Sequence, residues 1–262
     1  MNYLLATPQK EIITKAYSGK FTQPQIHYLF DHTDTPSLKE VGPVLLSDTS
    51  VDITLLKEIL EENSGLLITS THSQQDILAQ LRHNLFVYFK PDQIGIFRYY
   101  DLYIASYFFP SLNEQETADW LGPIETIEWF NTDWRNKVNQ PDQWQRHTNP
   151  HAKHWQPNPE KLKTKPIFTQ NQILALQDMQ EEKFAYYWQQ DISKNLTQID
   201  IDKTIYWVKQ GISTGFTSEN SLNQYLTLRA QYPSVTLPDT WPSEQAQEKI
   251  LYLQNYLQTA TN

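Results

Sequence analysis

The chain has 262 residues, a net charge of −9 and no cysteine, which excludes disulfides and thiolate metal sites. It has neither a basic leader nor the ~20 consecutive apolar residues that span a bilayer, so we expect a cytoplasmic protein without membrane contact. Only 7 residues are glycine, which disfavours the glycine-rich loops that bind nucleotide phosphates.

The first 131 residues alternate between strand and helix patterns. Gly65 is expected to end one helix, Ser73 to cap the next, and the turn Lys90-Pro91-Asp92-Gln93 to join a hairpin. Short apolar runs predict strands at 3–5, 42–46, 66–69, 85–89, 94–99 and 124–130, and apolar periodicity predicts helices at 9–17, 51–62, 73–84, 102–109 and 114–121. We therefore expect residues 1–131 to form a lobe in which helices pack on a mixed β-sheet.

Residues 132–166 break this pattern, because they contain five prolines and many amides. Within them, residues 135–165 hold seven Lys or Arg against two Asp or Glu, whereas the regions on either side are acidic. The composition predicts a Pro-rich basic linker or docking loop.

Residues 167–262 show only helical periodicity. Thr169 and Gln172 form a capping-box pattern ahead of a helix that reaches about residue 190. Three more amphipathic patterns follow, at 201–212, 222–229 and 246–257, with Gly215 as a helix end. The whole chain is thus predicted to be α+β, with a small all-helical C-terminal lobe.

No catalytic motif is present: the sequence lacks a Gly-x-Ser-x-Gly elbow, a phosphate loop and a His-Glu-x-x-His helix. We therefore expect neither an enzyme nor a cofactor. One alternative stays open, a carbohydrate-binding or glycoside-active protein, because Trp and Tyr are abundant and carboxylates are paired. The pairs are Asp31/Asp34, Glu61/Glu62 and Glu125/Glu128.

His147, His151 and His154 have the i, i+4, i+7 spacing of one helix face, on which they could ligate zinc. Pro150 interrupts any helix there, however. We expect solvated or locally hydrogen-bonded histidines and no metal.

The basic segment interleaves tryptophans with cations, and Trp144, Arg146, Lys153 and Trp155 are its candidate partner-binding residues. Packing of the tryptophans back on the domain is the structural alternative. Single-stranded nucleic acid is disfavoured because the rest of the chain is acidic.

The string Phe97-Arg98-Tyr99-Tyr100-Asp101 ends the second hairpin strand. Alternation predicts Phe97 and Tyr99 on one face, and Arg98 and Tyr100 on the other. Asp101 is expected to cap the following helix and to pair with Arg98, so we assign the motif a structural role.

Several further strings accompany this one along the chain: Leu81-Arg82-His83-Asn84-Leu85, Gly122-Pro123-Ile124, Gly42-Pro43-Val44-Leu45, Tyr3-Leu4-Leu5, Phe168-Thr169, Gly215-Phe216-Thr217 and the helix at 222–228. Together with Phe97–Asp101 they resemble a known family, the effector adaptor-chaperones of bacterial type VI secretion, a domain long catalogued as of unknown function. Leu102 departs from the family pattern, which commonly has proline after this Asp, a favourable but dispensable residue at the first helical position.

The resemblance implies a non-enzymatic function with two partners. These are a secreted toxin effector, held in the cytoplasm, and the VgrG spike protein, onto which the effector is loaded. We expect the helical lobe and residues 132–166 to form the effector side.

Overall fold

A computed structural model describes residues 1–90, 92–192 and 199–260. The chain divides into a sheet unit, Met1–Asp133 with Gln140–Gln177, and a helical unit, Trp134–Asn139 with Asp178–Asn262. The strands are β1 (Asn2–Thr7), β2 (Gln25–Tyr28), β3 (Val44–Ser47), β4 (Ser64–Thr69), β5 (Phe86–Lys90), β6 (Gln93–Ile96), β7 (Thr126–Asn131) and β8 (Gln143–Thr148). The helices are α1 (Gln9–Lys15), α2 (Ile53–Glu62), α3 (Gln74–His83), α4 (Leu102–Phe108), α5 (Glu114–Leu121), α6 (Pro159–Lys163), α7 (Gln170–Ile192), α8 (Ile201–Thr214), α9 (Glu219–Gln231) and α10 (Ala246–Ala260).

Six strands form one sheet in the order β2-β3-β1-β4-β7-β8, and each neighbouring pair is antiparallel. The predicted apolar runs supply its four inner strands. Leu4 of β1 lies opposite Leu46 of β3 and Leu67 of β4. Runs of this kind, without polar alternation, indicate strands that are covered on both faces.

Helices cover both faces of this sheet. On one face, Leu4 and Leu46 pack in a core with Ile12 of α1 and Ile59 of α2. On the other face, the neighbouring residue Leu5 belongs to a second core, to which α3, α4 and α5 contribute Leu81, Phe108, Trp120 and others. The predicted α+β class is confirmed.

The two outer strands, β2 and β8, are not predicted by the sequence pattern. Both are rich in polar residues, as is common for strands at the edge of a sheet. Residues 132–166, for which the sequence predicts a linker or docking loop, contain the regular strand β8. They are divided between the two units, because Trp134–Asn139 belongs to the helical unit and the rest to the sheet unit.

The predicted hairpin forms a separate two-stranded sheet of β5 and β6. Its turn residue Pro91 lies outside the described residues. Strand β5 also meets the segment that precedes α7, since the Tyr88 backbone N–H donates to the Pro166 carbonyl at 2.9 Å.

The helical unit has its own apolar core, around Trp207, Tyr225 and Phe216, with Phe216 stacked on Tyr225 at 5.0 Å between ring centroids. Gly215 ends α8 in the left-handed conformation, as predicted. The segment Trp134–Asn139 packs on this unit through Trp134, whose ring lies 5.2 Å from that of Tyr186. None of the described helices combines the length and hydropathy required to cross a membrane.

We expect Gly65→Ala to destabilise the sheet unit by about 3 kcal/mol, because a methyl group has no room between the central strands. A Cβ atom at Gly65 would lie 2.3 Å from the carbonyl oxygen of Leu5 and 2.8 Å from the Cα of Ala6. Urea unfolding followed by circular dichroism measures the loss.

The matched control is Gly19→Ala. A Cβ atom there meets nothing within 4 Å, but the positive φ of 88° makes alanine unfavourable by about 1 kcal/mol. Equal losses in the two variants would contradict the close approach at Gly65.

Candidate functional site

The residues Leu81–Leu85 that carry the resemblance lie at the end of α3, where their polar side chains are bound to backbone groups. Asn84 is buried, and its side-chain amide donates to the Trp120 carbonyl at 2.7 Å. The amide of Gln80, one turn earlier, donates to the Trp120 and Asp119 carbonyls at 3.0 and 3.2 Å. The side chains of Gln80 in α3 and of Asn84 just after it thus satisfy carbonyls that the end of α5 leaves without helical partners.

Gly122 continues this joint after α5. Its φ of 55° is unfavourable for residues with a side chain, and a Cβ atom there would lie 2.5 Å from Gln80 Oε1. The buried amide of Asn149 donates to the Gly122 carbonyl at 2.9 Å, and the Ser70 hydroxyl donates to the Pro123 carbonyl at 2.6 Å. The Gly122-Pro123 motif therefore connects α5, β4 and the turn that follows β8.

The Arg98–Asp101 motif forms the corner that leads into α4. Asp101 caps this helix as predicted, since its Oδ1 accepts from the backbone N–H groups of Tyr103 and Ile104 at 3.0 and 3.2 Å. The predicted ion pair is wrong: among the described residues no salt bridge joins Arg98 to Asp101. The two are linked through the backbone, and the Arg98 guanidinium lies 5.9 Å from the ring centroid of Tyr100.

Tyr99 anchors the same corner to α3. Its hydroxyl group donates to the Leu81 carbonyl at 2.8 Å, and complete burial raises the pKa of this phenol well above its ordinary value. Residues of the motifs that carry the resemblance thus form hydrogen bonds within the folded unit, which supports the structural role assigned from the sequence.

Trp144, a candidate binding residue on β8, is half-buried against α2. Its indole N–H donates to Glu61 at 2.9 Å, and the Lys57 ammonium lies 4.5 Å from the centre of its ring. Phe130 of β7 lies opposite Trp144 in register, with ring centroids 5.6 Å apart. Trp144 therefore packs back on the domain and holds one end of β8.

Arg146 lies on the same face of β8, opposite the buried residue Glu128. The Glu128 carboxylate is held by Lys57 at 2.7 Å and more loosely by Arg146 at 3.7 Å. Lys57 binds one carboxylate oxygen and Arg146 faces the other, and the Arg146 side chain is 62% exposed. A partner can reach its guanidinium.

Lys153 and Trp155 lie beyond the other end of β8, in and after a short 3-10 turn at Ala152–His154. Lys153 is exposed, whereas Trp155 is half-buried with its ring edge-on to His72 at 5.3 Å. The structure thus places the four candidates as two pairs along β8 and its continuation, and does not gather them around one cleft.

The three histidines lie on a strand, a turn and a 3-10 helix, so they do not share a helix face. His147 packs on Phe109 and hydrogen-bonds Thr117 at 2.9 Å, and His151 contacts Glu114 at 2.7 Å. Over the part of the chain that the structure describes, no group of three or more His, Asp or Glu is placed to hold a metal.

The six paired carboxylates do not converge on a cleft. Each of them is bound to a different group of the scaffold, and four of these contacts are salt bridges with lysines. The partners are Lys39 for Asp31, Lys165 for Asp34, Trp144 for Glu61, Lys15 for Glu62, Thr71 for Glu125 and Lys57 for Glu128.

Sequence reasoning missed two sets of residues: the amides of Gln80, Asn84 and Asn149 that bind backbone carbonyls, and Lys57 beneath Trp144. No periodicity marks an amide that binds a backbone carbonyl far along the chain. The position of Lys57 becomes informative only once β8 is recognised as a strand beside β7.

A comparison with known protein families finds one match. The family model described as "Domain of unknown function (DUF4123)" matches residues 4–119, which include the Leu81–Leu85 and Phe97–Asp101 motifs. Searches of curated proteins and of solved structures give no match.

We expect Asp101→Ala to destabilise the fold by about 1 kcal/mol, because it removes the acceptor that caps α4. Asp101→Asn keeps a capping acceptor and should be nearly neutral, and Arg98→Ala should also be nearly neutral because its side chain is exposed. Chemical unfolding of the three variants measures the free energy of unfolding and checks this order. If Arg98→Ala lost as much stability as Asp101→Ala, the result would instead support a side-chain ion pair between the two residues.

Acid should destabilise the protein partly through His147. Burial lowers the pKa of His147, so below the ordinary value of about 6.5 the unfolded chain binds a proton that the folded chain does not. The free energy of unfolding therefore falls as the pH falls through this range, and His147→Gln should reduce the slope.

The measurement is the free energy of unfolding between about pH 7 and about pH 5, where histidine changes charge. Thr148→Gln, at an exposed position on the same strand, changes no titratable group; it is the control and should keep the parent slope. An unchanged slope in His147→Gln would contradict the assignment.

Proposed function

We propose that the protein is a non-enzymatic adaptor, a chaperone that binds a type VI secretion effector in the cytoplasm and helps load it onto the VgrG spike. One observation carries the proposal: the match of residues 4–119 to a domain family that is associated with effector adaptors of this secretion system. The match covers most of β1, the elements from α1 to α4 and most of α5, and it ends before β7, β8 and the helical unit.

The structural role of the motif residues is compatible with a protein that binds partners. An adaptor needs surfaces for two partners and a rigid body that presents them. Asn84, Tyr99 and Asp101 contribute to that body through hydrogen bonds to backbone groups of neighbouring segments. Recognition is then left to exposed residues.

Arg146 and Lys153 support a binding surface along β8 for an acidic effector segment. Both are exposed cations on one continuous stretch of chain, and arginine is enriched among residues that dominate interfaces. Trp155 adds a partly accessible aromatic ring beside Lys153. Trp144 is excluded from this proposal because it stabilises β8.

No observation favours the carbohydrate alternative. Its carboxylate pairs are engaged in separate scaffold contacts, as at Glu61 and Glu62, which bind Trp144 and Lys15.

Deletion of the gene in the native bacterium is the direct test of the adaptor function. Secretion of one effector should stop while the secretion apparatus still delivers its other cargo, and re-expression of the chain should restore that effector. Secretion of all effectors at the parental level would overturn the proposal.

We expect the double variant Arg146→Ala/Lys153→Ala to recover roughly tenfold less of that effector in co-purification, if each cation contributes about half a decade of affinity. The matched control is Lys10→Ala/Lys20→Ala, which removes two exposed charges elsewhere on the sheet unit. Unfolding measurements should show that both variants fold as the parent does. Equal recovery would remove the β8 surface from the proposal and leave the deletion test unaffected.

A further inference from the structure

Strand β8 forms one edge of the six-stranded sheet, and its register shows which of its backbone groups face β7. The Asn149 N–H donates to the Glu125 carbonyl at 2.8 Å, and hydrogen-bonded pairs recur at every second residue of an antiparallel ladder. The odd-numbered residues of β8 therefore bond to β7. The N–H and C=O groups of Trp144, Arg146 and Thr148 point the other way, out of the sheet.

These outward backbone groups are unpaired. Within the part of the chain that the structure describes, no hydrogen bond reaches the backbone N–H or C=O of Trp144, Arg146 or Thr148. Arg146 and Thr148 are also exposed, and Trp144 is half-buried. A row of unpaired groups at a sheet edge can pair with an extended segment of another chain, and an antiparallel strand should form about six hydrogen bonds here.

Arg146 determines which residue fits the centre of such a strand. The residue opposite Arg146 has its side chain on the same face of the sheet, beside the guanidinium, and opposite charges in these positions attract. The Arg146 side chain is 62% exposed, and its contact with Glu128 is long, at 3.7 Å. An acidic residue of the added strand can therefore reach the guanidinium.

The Trp144 end of the edge has a different preference. The Glu61 carboxylate accepts from the Trp144 indole N–H at 2.9 Å, so a second carboxylate at this end meets a like charge. The half-buried ring of Trp144 instead offers apolar surface to a neighbouring side chain. The edge thus favours a strand with an acidic residue opposite Arg146 and an apolar residue opposite Trp144.

A second copy of this chain fits the edge less well. The two-fold antiparallel pairing that uses Trp144, Arg146 and Thr148 of both copies places Arg146 opposite Arg146. Like charges directly opposite each other are destabilising. The charge on the edge therefore favours a different, acidic chain.

We propose that the free edge of β8 binds an extended acidic segment of the partner by strand addition, with main-chain hydrogen bonds to Trp144, Arg146 and Thr148. The identification of this partner as the effector rests on the proposed adaptor function. The mode of binding is a property of the sheet and can be tested without the effector.

The probe is the peptide acetyl-Thr-Val-Glu-Val-Ile-amide, whose central glutamate lies opposite Arg146 and whose isoleucine lies beside Trp144. Titration into the ¹⁵N-labelled full-length protein should shift the backbone amide signals of Trp144, Arg146 and Thr148 with a Kd of about 1 mM. A peptide with lysine in place of the glutamate should bind at least roughly tenfold more weakly, because the lysine meets the like charge of Arg146.

Two N-methylated forms of the probe test the hydrogen bonds directly. Methylation of the glutamate nitrogen removes a donor that faces β8 and should weaken binding at least roughly tenfold. Methylation of the first valine nitrogen is the matched control, because that N–H points away from β8. It should leave the Kd unchanged.

On the protein side, Thr148→Pro removes one outward N–H without breaking a bond to β7, and proline is tolerated in edge strands. This variant should bind the probe roughly tenfold more weakly, whereas Thr148→Ala should bind as the parent does. If Thr148→Pro does not fold, the two methylated peptides decide on the wild-type protein.

The proposal is overturned if the probe shifts none of the three signals up to about 20 mM, roughly twenty times the expected Kd, or if both methylated peptides bind equally. It is also overturned if the protein alone dimerises through this edge. Absence of probe binding removes the strand-addition site and leaves the gene-deletion test of the adaptor function unaffected. Probe binding as predicted supports the site even if that deletion test fails.

Discussion

The carbonyl groups at the end of α5 constrain much of the sheet unit. A helix leaves its last carbonyls without partners inside the helix, and burial makes each of them costly unless another donor is present. Here the donors are side-chain amides of Gln80, Asn84 and Asn149, which come from α3 and from the turn after β8. The hydrogen bonds to the carbonyl groups at the end of α5 therefore fix the position of α3 and the position of the turn that follows β8.

This constraint explains why the residues of the resemblance are mostly buried. Asn84 and Gly122 belong to the joint itself, and Tyr99 binds α3 one turn before it, through the Leu81 carbonyl. Such residues are restricted by geometry, so they identify a scaffold without specifying what it binds. In the proposed adaptor function, recognition of the partner therefore depends on exposed positions such as Arg146 and Lys153.

The sequence predicted the inner strands because their residues are continuously apolar, and the caps Ser73 and Asp101 because capping needs a particular acceptor at a particular place. It did not predict the outer strand β8. Its Gln, Arg and His residues follow no hydrophobic pattern, because one edge and part of one face meet solvent. The Arg98–Asp101 ion pair failed for another reason: the backbone hydrogen bond between these residues already closes the corner, and the guanidinium lies over Tyr100.

The basic segment shows how far net charge alone can mislead about a binding surface. Several of its cations are engaged in the fold: Lys161 binds Asp119, Lys165 binds Asp34, and Arg135 lies 3.3 Å from the buried Glu182. These contacts use charge to fasten segments of the chain. Arg146 differs because Lys57 is closer to Glu128 and compensates its charge. Arg146 contacts the other oxygen of this carboxylate only loosely and keeps most of its side chain exposed, which is why the proposed adaptor function assigns Arg146, and not the paired cations, to the partner.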